Sequence, residues 1–126
     1  MTTGELHVVT PPVTRTQIVR FAGAAGDFNP MHHDEIFARE AGSDSVFAMG
    51  QLAAAMLGEA VAGWLGRDRL AGYGVRFKAK VLPGDRLVLT GRVTAVVDGL
   101  QECELQAARE GSGEVVMTGW ARARHS

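Results

Sequence analysis

The chain has 126 residues and a formal net charge of −1. That is enough for one domain with its own core, and too balanced a charge to suggest a nucleic-acid or other polyanionic partner. Its single cysteine, Cys103, excludes an internal disulfide and fits a reducing compartment.

The chain opens with no charged-then-apolar leader, and no apolar run is long enough to span a bilayer. The expectation is a cytoplasmic protein with no membrane partner. Residues up to Gly4 are expected to fray. Leu6 to Val9 reads as a short strand, ended by Pro11-Pro12. Thr14 suits the N-cap of a helix from Arg15 to about Ala24, with Ile18, Val19 and Phe21 to bury. An irregular loop, Gly26 to Asp34, follows. Asp34 can cap a second short helix, Glu35 to Ala41, closed by Gly42. Ser43 to Met49 connects to Gly50, where a helix starts that is apolar nearly all round and runs to Leu65. Such a helix is buried on most sides. Its alanines and glycines allow close contact with a sheet.

Beyond Gly66 the period changes to two. Tyr73, Val75, Phe77, Ala79 and Val81 alternate with Gly74, Arg76, Lys78 and Lys80, a half-buried strand. Pro83-Gly84-Asp85 turns the chain. Arg86 to Val97 and Leu100 to Arg109 read as strands joined at Asp98-Gly99, a strong hairpin signal. After Gly111-Ser112-Gly113 a last strand covers Glu114 to Arg124. One long buried helix followed by antiparallel strands predicts an α+β layer fold. A sheet of about five strands curled round the central helix is the natural solution, with 1–126 as a single domain.

The segment GDFNPMHHD, Gly26 to Asp34, concentrates the chemistry. Asn29-Pro30 disfavours helix at Asn29, so Asp27 and His32 sit on a pinned loop. Such a loop can aim a carboxylate and an imidazole at one point, as proton transfer requires. The same residues also suit a capped turn, with Asp27 or Asn29 bonding nearby N–H groups. His33, next to His32, is expected to face solvent. His7 and His125 lie near the ends and are assigned no role. No His, Cys or acidic group has metal-ligand spacing, so no metal is expected.

The run Phe21 to Gly42 resembles the signature of the MaoC-like, R-specific enoyl-CoA hydratases: an aromatic, small residues, then G-D-x-N-P-x-H. Gly26, Asp27, Asn29, Pro30 and His32 match, and the likeness continues through the central helix and the strands. The family pattern Phe, Pro-Val, Gly-Asp is met by Phe77, Val81, Gly84 and Asp85, with Lys80 where a proline is usual. Its His-Gly-Met is Met49-Gly50-Gln51 here. The resemblance implies a hot-dog fold. It also implies reversible syn addition of water to a trans-2-enoyl thioester, carried by CoA or a carrier protein, giving the (R)-3-hydroxyacyl thioester without a cofactor. Asp27 and His32 would be the catalytic pair. Asn29 would bond the loop or the water. Gly50 would let the thioester oxygen approach the positive, unpaired N–H end of the central helix. A homodimer is implied. The alternatives are a subunit of a heteromeric dehydratase of fatty-acid elongation or sterol side-chain degradation, or a non-catalytic acyl-thioester-binding subunit. Arg76, Lys78 and Lys80 suit the phosphates of the carrier arm, or simply a solvated strand face. Phe28, Met31, Met49, Met56 and Trp64 suit an acyl tunnel or the core.

Overall fold

Thr14 and Asp34 cap the helices that follow them: their side chains accept hydrogen bonds from the N–H groups of Gln17 and Phe37. The computed structural model describes residues 2–124; His125 lies outside the described residues. Three α-helices, α1 (Arg15–Ala25), α2 (Glu35–Glu40) and α3 (Gly50–Leu65), accompany five strands. These are β1 (Leu6–Val9), β2 (Leu70–Phe77), β3 (Leu87–Val97), β4 (Leu100–Arg109) and β5 (Val115–Arg124). The strands form one antiparallel sheet in the order β1-β3-β4-β5-β2. This is the α+β hot-dog arrangement.

Helix α3 lies against the inner face of the sheet. Ala53, Leu57, Val61 and Leu65, four residues apart, form one stripe and pack into a core with Leu87, Leu89, Leu105, Met117 and Ala121. The opposite stripe, Gln51, Ala55, Glu59 and Gly63, is exposed. The Tyr73 hydroxyl donates to the Ala54 carbonyl at 2.7 Å and ties β2 to the helix; burial pushes its pKa up to about 12. Cys103 is buried in the same core, and burial, with Glu102 beside it, raises its thiol pKa. The β3–β4 hairpin turns at Asp98-Gly99, with Asp98 at φ +52°. Pairing shifts register near Ala71, Thr94 and Val116, and such irregularities add the curl that wraps the helix.

Three expectations are corrected. Val19, expected to be buried, is 52% exposed, because α1 buries only the face that carries Ile18 and Ala22. The strand placed at Tyr73 to Val81 instead runs from Leu70 to Phe77. At its far end the N–H groups of Lys78 and Ala79 both turn to the Val116 carbonyl, at 2.8 and 3.2 Å, so the ladder stops where β5 shifts register. At its near end, pairing of Leu70 with Ala123 recruits residues of weak strand preference. Thr2 is also held rather than frayed. Gln101 is buried to 1% exposure, and its amide donates to the Thr2 carbonyl at 2.9 Å and accepts from the Thr2 N–H at 3.2 Å. A buried amide needs both partners.

The helices flanking the Gly26–Asp34 loop are clasped together. Arg15, the first residue of α1, bonds Glu35, the first residue of α2, and Arg39 stands 3.6 Å from the same carboxylate. The Arg15 hydrogen bond, with the field of both guanidiniums, lowers the Glu35 pKa from 4.5. Glu35 therefore binds protons more weakly folded than unfolded. Its contribution is present above the ordinary carboxylate value and is lost as pH falls through the lowered one.

Leu57 sits at 0% exposure in the middle of α3. Leu57→Ala is expected to cost about 3 kcal/mol by chemical denaturation, through lost burial and a residual cavity. Glu35→Gln is expected to flatten the fall in stability as pH drops below the ordinary carboxylate value of 4.5, read from denaturation midpoints against pH.

Candidate active site

Gly26 starts the site. Its φ of +72° is left-handed, which glycine adopts without strain. The turn lets the Asp27 N–H donate back to the Ala22 carbonyl at 2.9 Å, closing α1. Asn29 then caps a single 3-10 turn, Pro30–His32, by accepting from the Met31 N–H at 3.1 Å. Its own N–H donates to Asp27 Oδ1 at 3.2 Å. One carboxylate oxygen of Asp27 thus holds the loop, and the other, Oδ2, faces His32.

His32 is buried, with 8% exposure. Its Nδ1 lies 2.7 Å from the Phe47 carbonyl. A carbonyl can only accept, so Nδ1 carries the hydrogen and the neutral ring keeps its lone pair on Nε2. That atom faces Asp27 Oδ2 at 3.5 Å, longer than the usual limit of about 3.2 Å for such a hydrogen bond. Two acceptors therefore converge on one space, which suits a molecule with two hydrogens to give. The Phe47 ring meets His32 edge-on, 5.3 Å between centroids at 83°. The Phe47 N–H donates to Met31 at 3.3 Å and the Ala48 N–H to Val81 at 2.8 Å, so the connecting loop is tied on both sides.

Asp27, His32 and Gly50 line one cavity of about 530 Å³. Gly50 is the first residue of α3, and no side chain caps that end of the helix. A Cβ built on it would lie 2.9 Å from the Phe77 ring, so glycine lets that ring pack directly against the start of the helix. The inner wall is buried and apolar, from Ala53, Val81, Val116 and Met117. Phe77, Lys78 and Lys80 form an exposed outer lip.

The structure brings Asp27, His32 and Gly50 together and leaves the Asn29 side chain in the turn, outside the cavity lining. Met49 lines the cavity, whereas Met56 and Trp64 pack on the core and Phe28 is 70% exposed. His33 is exposed, its ring nitrogen 3.3 Å from the Phe28 carbonyl. Phe47 is the residue that sequence reasoning missed. It acts on His32 through its backbone carbonyl, and any residue type supplies one. Among the described residues no group of three or more His, Cys, Asp or Glu could hold a metal ion. No helix among them is long and apolar enough to cross a membrane.

The family model described as "MaoC like domain" matches residues 3–114. A fatty acid synthase subunit beta of Gibberella zeae is 34% identical over 109 residues, 84% of this chain. The chain spans about 5% of that relative's length. Among solved structures, the ChsH1-ChsH2 complex from Mycobacterium tuberculosis matches at 25% identity and a TM-score of 0.84, covering 98% of this chain and 97% of the matched one. An (R)-hydratase from A. caviae involved in PHA biosynthesis has the same fold, with a TM-score of 0.86 at 22% identity, covering 100% of this chain and 97% of the other. With its family motif, its hot-dog sheet and a match over most of its length, the chain belongs to the MaoC-like family of hot-dog hydratases and dehydratases.

Proposed function

We propose that this chain catalyses reversible hydration of a trans-2-enoyl thioester, or the reverse dehydration of a 3-hydroxyacyl thioester, as one component of a larger assembly. The observation that carries the reading is the convergence of Asp27 Oδ2 and His32 Nε2, 3.5 Å apart, on a cavity bounded by the start of α3. A water placed between the two acceptors donates one hydrogen to each and turns an oxygen lone pair outward. As that oxygen bonds to the β-carbon, the pair takes up one proton. Returning a proton to the α-carbon on the same face completes a syn addition and restores the pair. In between, charge collects on the thioester oxygen. The uncapped N–H groups of Gly50 and Gln51 are the stabilising donors for it, aided by the helix dipole. Asn29 serves by shaping the turn that presents Asp27. The chemistry draws its activation from the thioester, so no cofactor is invoked.

Membership of an assembly is supported by what the chain resembles. One relative is a segment of a much longer synthase subunit, and one structural neighbour is a complex of two named chains. A homodimer acting alone on enoyl-CoA is the second reading. It is favoured by the single cavity that already holds acid, imidazole and helix terminus within one chain. Size-exclusion chromatography and turnover of crotonyl-CoA, with the chain alone and then mixed with candidate MaoC-like partners, separate the two. Activity appearing only in a mixture supports the assembly; full activity alone supports the homodimer.

Asp27→Asn keeps the oxygen that accepts from the Asn29 N–H but removes the base. Its kcat is expected to fall about 10²–10⁴-fold, with KM near that of the parent, in an assay following loss of the conjugated thioester absorbance. Unchanged kcat would remove Asp27 from the reaction. Gly50→Ala pushes its Cβ against Phe77 at the helix terminus. It is expected to lower kcat/KM about tenfold while thermal unfolding stays close to the parent's, because the ring it meets is exposed and can move.

A further inference from the structure

The cavity changes character from end to end. Its inner wall is buried and apolar, while Lys78 and Lys80 stand exposed on its outer lip. Among the described residues neither lysine has a carboxylate within 4.0 Å, although Arg15, Arg67, Arg92 and Arg122 each have one. Asp27 is the one acid in the cavity lining. Asp44 and Glu114 share a shallower hollow on the other side of Lys80, where Glu114 pairs with Arg109.

Both lysines are held in place by their backbone. The Lys78 N–H donates to the Val116 carbonyl at 2.8 Å, and the Lys80 carbonyl accepts from the Arg109 guanidinium. The Lys80 ammonium also lies 4.6 Å from the centroid of the Phe47 ring. Phe47 is the residue whose carbonyl fixes His32. A pair of cations on tied backbone, without carboxylate partners among the described residues, at the polar end of an otherwise apolar cavity, is a docking place for an anion.

Resting on the thioester reading above, we propose that Lys78 and Lys80 grip the phosphate of the pantetheine arm that carries the acyl group. The apolar wall takes the acyl chain, so the charged end of the substrate is left at the lip. Lys80 is close to Phe47, which in turn touches His32. A phosphate bound there lies on the Phe47 side of the cavity mouth. The chemistry recognised is a phosphate ester of pantetheine, borne either by coenzyme A or by a carrier protein.

The test compares crotonyl-CoA, a crotonylated carrier protein and crotonyl-pantetheine, which lacks the phosphate. The intact chain, or its active complex, is assayed with and without the double substitution Lys78→Gln/Lys80→Gln. The parent is expected to prefer the phosphorylated substrates. The double variant is expected to shrink that preference about tenfold, through KM rather than kcat, as loss of two charge-assisted contacts at an exposed site requires. Lys78→Arg/Lys80→Arg is expected to retain the preference, which separates charge from packing. A loss on both phosphorylated substrates assigns the 4′-phosphate; a loss on crotonyl-CoA alone assigns the coenzyme's further phosphates. Turnover of all three substrates with no preference, or a preference that survives the glutamines, overturns the lysine site and leaves the hydratase reading standing. If the parent turns over none of them, the hydratase reading falls. Calorimetric titration with CoA then decides the lysines: binding weakened about tenfold by the glutamines supports them, and absent or unaltered binding overturns them.

Discussion

The 2.7 Å hydrogen bond from His32 Nδ1 to the Phe47 carbonyl governs the site. It holds the proton on the inner nitrogen of a buried ring and so commits the outer nitrogen to accept. Were the tautomer reversed, Nε2 would donate to Asp27 instead of presenting a lone pair to the cavity. The bond also links two loops through residues fifteen apart in sequence. The Gly26–Asp34 loop brings the imidazole, and the Ser43–Met49 segment brings the carbonyl and then leads directly into α3. The start of α3 and the Asp27–His32 pair are therefore placed by one connection.

The rest of the fold keeps that connection rigid. Arg15 and Glu35 clasp the helices on either side of the Gly26–Asp34 loop. Val81 and Met31 fix the backbone of Phe47 and Ala48. The curled sheet and α3 bury the stripe Ala53–Leu57–Val61–Leu65, so that the amino end of the helix is held at the cavity. The site is partly open, with its outer lip exposed. The inner wall of the cavity is buried and apolar, and its lip is left uncovered.

Much of the fold was legible in order along the chain. Thr14, Asp34, Gly26 and Asp98-Gly99 act through bonds to near neighbours, so their effect is written locally. Helix α3 announced itself by length and apolarity, and β3, β4 and β5 by the turns that separate them. The limits of β2 were not legible. Its end depends on the Val116 carbonyl, nearly forty residues later, capturing two N–H groups at once. Likewise Thr2 is tied down by Gln101, a partner that no local pattern reveals.

By itself the sequence determined the ingredients of the site: an acid, an imidazole and a glycine in a family motif, a bent loop, and a helix whose first turn no side chain caps. These are properties of short stretches, set by backbone preference and residue chemistry. Only the tertiary structure decided that Asp27 and His32 converge and that the Asn29 side chain turns inward to its own loop. It alone decided that Phe47 sets the tautomer, and that two lysines end up beside the cavity that Asp27 and His32 line. Each of these is a meeting of groups distant along the chain, or a choice between partners that only packing resolves, and a linear pattern carries no record of either.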